Sequence, residues 1–131
     1  MLQIVVGAAI VRGGRLLAAR RSAPAALAGG WELPGGKVEA GESEPEAVVR
    51  ECLEELGVTV LAGPRVPGEW PLPNGLILRV YVAEVVIGDP QPLEDHDELR
   101  WLPPAELDDV AWLPADRPAV AAVARACGLT A

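Results

Sequence analysis

Three glutamates, Glu51, Glu54 and Glu55, stand beside an arginine, Arg50, in the stretch EAVVRECLEELGV. At i, i+3 and i+4 they share one side of a helix. Like charges at that spacing destabilise an isolated helix by about a few tenths of a kcal/mol. A hard cation among them removes the repulsion, and Mg²⁺ prefers oxygen ligands. The chemistry in view is divalent-metal chemistry on an anionic substrate. Val49, Cys52, Leu53 and Leu56 recur at i, i+3, i+4 and i+7 on the opposite side, which predicts a helix from Glu44 to Leu56 with a core-facing apolar face.

The limits of that helix are legible. Ser43 and Glu46 read S-x-x-E, a capping box. Pro45 falls in the first turn, where missing N–H bonds cost little, and Gly57 is a C-terminal stop. Before it runs Leu33-Pro34-Gly35-Gly36-Lys37, a sharply turning loop whose glycines let backbone approach a ligand.

The combined pattern is G-x5-E-x7-R-E-x-x-E-E-x-G-V, from Gly36 through Glu42, Arg50, Glu51, Glu54, Glu55 and Gly57 to Val58. It resembles the Nudix box of the Nudix hydrolases. One position departs: Cys52 stands where a large aliphatic is usual, a small hydrophobe on the buried face that leaves the ligands untouched. The segments ARRSAPAALAGGWELPGGK and LRWLPPAELDDVAWLPADRP resemble the MutT-like subgroup, closest to its CTP/dCTP pyrophosphohydrolases. The resemblance implies an α/β fold, the Nudix α/β/α sandwich with a mixed β-sheet between helices. It also implies hydrolysis of a nucleoside triphosphate to monophosphate and pyrophosphate.

By the same matching, the Gly36 carbonyl, Glu51, Glu54 and Glu55 would hold Mg²⁺ or Mn²⁺, with Glu55 the firmest ligand, and Arg50 would orient the carboxylates. Glu51, Glu54 and Arg50 are thus the catalytic set, and Glu42 stabilises the loop. A further carboxylate is implied in the loop before the last strand, Leu93-Glu94-Asp95-His96-Asp97-Glu98. Counting back from Trp101 favours Asp95 as extra ligand or base, with Glu98 second and a plain solvated charge run the alternative. His96, the one histidine, receives no role beyond a substrate contact. Arg21 and Lys37 are candidates for the substrate phosphates. Arg79, a cation inside the apolar run LILRVYVAEVVI, wants either a structural partner or the substrate. Asp116 matches the position where MutT carries an asparagine that reads oxidised guanine. An ionised Asp only accepts hydrogen bonds, which suits the N4 amino group of cytosine. A protonated one could serve the N7–H of 8-oxoguanine, and capping of the last helix is the structural alternative.

The remaining chain must position these groups. Strands are predicted at Leu2–Val11 and Leu16–Arg20 around a Gly13-Gly14 turn, then at Trp31–Leu33, from Val58, at Leu76–Ile87 and at Leu99–Leu102. Trp70–Gly75 reads as a turn, Pro104–Leu107 as a helical turn and Ala115–Cys127 as a second helix. With 131 residues, half of them hydrophobic, residues 1–131 are expected to form a single domain. The net charge of −8 argues against a nucleic-acid polymer as partner, yet suits a polyphosphate bridged by divalent cations. No apolar run reaches membrane-span length, the N-terminus lacks a basic leader, and two cysteines give no disulfide framework. A cytoplasmic monomer or homodimer, without a membrane partner, is expected. A non-catalytic nucleotide-binding module and an enzyme acting on ADP-ribose or dinucleotides are the competing readings.

Overall fold

The structure, a computed structural model, describes residues 3–129. Strand β1 (Gln3–Arg12) alternates between two apolar layers. Val6, Ala8 and Ile10 join one, while Ala9 with the partly buried Val5 and Val11 joins the other. A strand apolar on both faces must be covered on both. Gly13 and Gly14, with φ of 59° and 74°, close the two-residue turn into β2 (Arg15–Arg21). Strand β7 (Leu76–Ile87) runs parallel to β1 from Gln3 to Ile10. The short β3 (Trp31–Glu32) and β8 (His96–Leu102) flank β2 antiparallel. On the far side of β7 lies antiparallel β5 (Thr59–Arg65). One parallel pair among antiparallel ones makes the sheet mixed, as expected.

Helix α1 (Glu44–Leu56) covers one face through Ala47, Val48, Cys52 and Leu56. Helix α2 (Asp116–Cys127) covers the other through Ala119, Val120 and Val123. This is the α/β/α sandwich that the box resemblance implies. No helix among the described residues is long and apolar enough to cross a membrane.

Several local expectations change. Gly35–Lys37 is a strand, β4, antiparallel to β1 with Gly35 opposite Gly7 and Gly36 opposite Val6. Away from the Gly13-Gly14 hairpin, β1 therefore has β4 and not β2 as its neighbour. Within the predicted turn, Trp70–Pro71 forms a two-residue strand, β6, against β7, and Pro73–Gly75 a 3-10 turn. Strand β8 starts at His96, three residues before the predicted Leu99. The predicted start at Leu2 lies outside the described residues. On α1 the buried face is centred on Val48, Cys52 and Glu55, and Leu53 is 57% exposed. Burying Ala47 and Val48 rotates the helix so that Leu53 swings out and Glu55 swings in.

Candidate active site

Both ends of α1 are fixed. Ser43 Oγ accepts from the Glu46 N–H at 3.1 Å, and Glu46 Oε1 accepts from the Ser43 N–H at 2.8 Å. Gly57, at φ 69°, donates its N–H to the Leu53 carbonyl. Such a cap contributes about 1 kcal/mol and sets the register of the carboxylates.

Arg50 ties the helix to the preceding loop. Its Nε and Nη2 donate to the two oxygens of Glu42 at 2.7 and 2.9 Å, and Nη2 also donates to the Lys37 carbonyl at 3.0 Å. Nη1 donates to Glu51 at 2.9 Å and to Glu54 at 3.1 Å. The guanidinium holds Glu42 below the usual carboxylate range. Glu51 is half-buried, and burial raises its pKa against the pull of Arg50, with the charges of Glu54 and Glu94 adding to the rise. Its carboxylate lies directly against Gly36, where a Cβ would find no room.

Glu55 is buried, and its Oε1 accepts the Gly35 N–H at 3.0 Å. Burial pushes its pKa up to about 8, opposed by the charge of His96 and the Gly35 N–H. Among the described residues no three His, Cys, Asp or Glu side chains stand as a ready metal-ligating cluster. The cause is visible: Glu51 and Glu54 are turned to Arg50 and Glu55 to Gly35. The donor set is nonetheless all hard oxygen, and the bare Gly36 leaves Glu51 seated on the glycine strand. These residues fit a divalent cation by donor chemistry.

The opposite wall of the glycine strand opens on a cleft of about 590 Å³, within the range of small-molecule sites. Val5, Leu72, Leu76 and Leu113 supply apolar lining, and Arg21, Glu32, Lys37 and Asp116 the charged groups. Asp116 is the first residue of α2, with Ala115 at the cap position and no side-chain cap. The capping alternative therefore fails. Instead Asp116 Oδ2 accepts the Leu33 N–H at 2.9 Å. No buried side-chain oxygen among the described residues lacks a partner, so Oδ1 is open to the cleft. Burial pushes the Asp116 pKa up to about 7, against the Leu33 N–H and with the help of Glu32.

The other candidates are placed less uniformly. Lys37 is exposed at the cleft rim. Arg21 lines the cleft, but its Nε and Nη2 donate to the Ala23 carbonyl and its Nη1 to Glu32 at 3.3 Å. Arg79 lies outside the cleft lining and pairs with Glu44 at 2.7 Å and Glu69 at 3.0 Å. Its partner is structural, at the start of α1. Asp95 is exposed and turns towards Arg21 at 4.0 Å, while Asp97 and Glu98 pair with Arg20. The loop carboxylate whose charge acts on Glu51 is Glu94. Counting back from Trp101 assumed an extended chain. The left-handed Glu94 and Asp95, with φ of 31° and 60°, and the register shift at Arg20/Arg21 break the strand alternation at this point.

Two more residues join these groups: His96, given no role from the sequence beyond a substrate contact, and Glu32, given none. His96 is fully buried, with Nε2 2.8 Å from Glu32 Oε2 and Nδ1 2.9 Å from the Glu94 carbonyl. Burial opposes its charge, but the Glu32 bond and the Glu55 charge outweigh it and raise its pKa. Glu32 joins His96, Arg21 and the cleft. Its one sequence signal is a carboxylate wedged between Trp31 and Leu33 beside the glycine strand.

Comparison with known proteins places the chain in a family. The family model described as NUDIX domain matches residues 1–123. A Mycobacterium tuberculosis protein provisionally named 8-oxo-dGTP diphosphatase 2 is 49% identical over 126 residues, covering 94% of this chain and 89% of its own. The CTP pyrophosphohydrolase of Escherichia coli is 37% identical over 115 residues, covering 87% and 85%. The crystal structure of a MutT NUDIX hydrolase from Burkholderia pseudomallei superposes with a TM-score of 0.80 at 35% identity, covering 94% and 98%.

Proposed function

The chain belongs to the Nudix hydrolase family and is a nucleotide diphosphatase, and we propose that it is a Mg²⁺-dependent nucleoside triphosphate pyrophosphohydrolase that clears or balances the nucleotide pool. The observation that carries this reading is the seating of Glu51 and Glu55 on the Gly35–Gly36 strand, at the edge of a nucleotide-sized cleft. Nudix hydrolases generally need divalent metal ions. Gly36, Glu51, Glu54 and Glu55 would hold the cation here, which when bound neutralises phosphate oxygens and lowers the pKa of a water. Arg50 keeps Glu51 and Glu54 on one side of the helix, and Lys37 offers its ammonium to the phosphates at the rim. The apolar cleft wall receives the nucleoside and excludes water from it.

Glu94 takes the place first given to Asp95, as the loop carboxylate that accepts a proton or completes the charge on the Glu51 side. A general base typically contributes 10²–10⁴-fold. Glu94→Gln should therefore lower kcat by about 10²-fold, whereas Asp95→Asn should cost under about 3-fold. Equal losses in the two variants would return the role to Asp95 or to neither.

The base is read by Asp116 Oδ1. Ionised, it accepts from the cytosine N4 amino group, which makes CTP, dCTP or a modified dCTP the first substrate. The second is 8-oxo-dGTP, favoured by one observation: with a pKa pushed up to about 7, a share of Asp116 is protonated at neutral pH and can donate as well as accept. Purified protein with Mg²⁺ should release pyrophosphate from dCTP or 8-oxo-dGTP well ahead of ATP, and not cleave ADP-ribose. One well-placed side chain–base pairing carries about 1–3 kcal/mol of discrimination, so Asp116→Asn should move the 8-oxo-dGTP to dCTP ratio of kcat/KM about 10-fold towards the purine. Equal turnover of every base would remove Asp116 as reader. No pyrophosphate from any triphosphate would remove the triphosphatase itself.

A further inference from the structure

We propose that His96 is a positioning residue for Glu94, clamping the Leu93–Asp95 turn that carries it to Glu32. The ring is sealed from solvent and meets oxygens at both nitrogens. Nδ1 stands 2.9 Å from the Glu94 carbonyl and 3.3 Å from that of Leu93, and carbonyls only accept. Nδ1 therefore donates into the turn, while Nε2 donates to Glu32 on β3, 64 residues away.

The turn needs such a clamp. Glu94 and Asp95 are consecutive non-glycine residues in the left-handed region. That conformation is strained for a residue with a Cβ and persists only where surroundings impose it. Two backbone bonds supply part of the frame: the Leu93 N–H donates to the Glu55 carbonyl at 3.0 Å and the Ser22 N–H to the Asp95 carbonyl at 2.7 Å. Neither touches Glu94 itself. His96 is the side chain that does, and in doing so it links β3, at the cleft, to the turn over α1.

The kinetic half of this inference rests on the diphosphatase reading, and the structural half does not. His96→Phe keeps a ring of similar volume and removes both donors. Loss of a hydrogen bond to a charged partner shifts the equilibrium it holds by about 10-fold or more. Amide hydrogen exchange at Ser22 and Leu93 should accelerate by about 10-fold or more in this variant, with the α1 amides unchanged. In turnover, kcat should fall about 10-fold with KM moved less than about 2-fold, and His96→Gln, which restores one donor, should recover part of the loss. The double variant His96→Phe/Glu94→Gln should be no slower than Glu94→Gln alone. Unchanged exchange at both amides overturns the inference, as does additivity in the double variant. Should His96→Phe fail to fold, exchange in His96→Gln decides in its place. Should the wild type cleave no triphosphate, the functional reading falls while the exchange measurement still rules on the clamp.

Discussion

Glu55→Gln should reduce pyrophosphate release by about 10³-fold or more, the equivalent of roughly 4 kcal/mol of transition-state stabilisation, while making the metal-free protein more stable at alkaline pH. Both effects come from one carboxylate. Glu55 lies on the buried face of α1 beside Cys52 and Leu56, and its Oε1 accepts the Gly35 N–H at 3.0 Å. Glutamine has the same length and keeps an acceptor for that N–H. What it removes is the anionic oxygen pair nearest the glycine strand. A divalent cation contributes several kcal/mol of charge stabilisation to phosphoryl chemistry, and losing its firmest proposed ligand forfeits most of that.

The stability effect has a definite sign. Burial pushes the Glu55 pKa up to about 8, against an ordinary unfolded value of about 4.3. Below the unfolded value both states carry the proton, and the residue has no pH-dependent effect. Between the two values the unfolded chain sheds the proton and the folded one keeps it, so stability falls as pH rises. Above the folded value the penalty is complete. Glu55→Gln removes it, so the variant should melt above the wild type at pH 8.5 and level with it at pH 4. Added Mg²⁺ should reverse the alkaline order, stabilising the wild type by mass action and the variant little. A variant that keeps its Mg²⁺ shift and its turnover would take Glu55 out of the ligand set.

What was legible in advance follows the range over which each feature is encoded. The limits of α1 depend on Ser43, Glu46 and Gly57, all within one turn of its ends, and they stand where the local pattern puts them. The carboxylate spacing is equally local. The face that the core chooses is not, because the packing of Ala47 and Val48 against β1 decides whether Leu53 or Glu55 goes inward. Asp116 meets Leu33 across 83 residues and His96 meets Glu32 across 64. Neither pairing leaves a periodic trace. A histidine in the acidic run Glu94–Glu98 looks solvated until the turn at Glu94 and Asp95 folds it inward. The proposed exchange of Asp95 for Glu94 has the same origin: a left-handed turn breaks the alternation that counting along a strand relies on.

Gly35→Ala should abolish folding, and Gly36→Ala should fold and fail as a catalyst. The two glycines are neighbours on β4 but face different obstacles. A Cβ on Gly35 would overlap the Val6 carbonyl and come within 2.9 Å of the Gly7 Cα. Both are backbone atoms of β1, which is held on its other side by the parallel pairing to β7. Nothing there can rotate away. The cost exceeds the roughly 1–3 kcal/mol typical of overpacking and falls among the exceptional values above about 4 kcal/mol, against a total stability of about 5–15 kcal/mol for a domain. A Cβ on Gly36 would instead press on the Glu51 carboxylate, within 2.7 Å of Oε1. That is the far end of a flexible side chain, free to swing aside at about 1 kcal/mol or less of off-rotamer cost. Swinging aside takes Glu51 from its 2.9 Å bond with Arg50 and off the glycine strand. Turnover should fall about 10²-fold or more, since a displacement of about 1 Å at a reacting centre can cost that much. Far-UV circular dichroism and urea midpoints separate the two outcomes, and pyrophosphate release completes the contrast. A Gly36→Ala protein that folds and turns over like the wild type would show that the seat of Glu51 on Gly36 is no part of the catalytic arrangement.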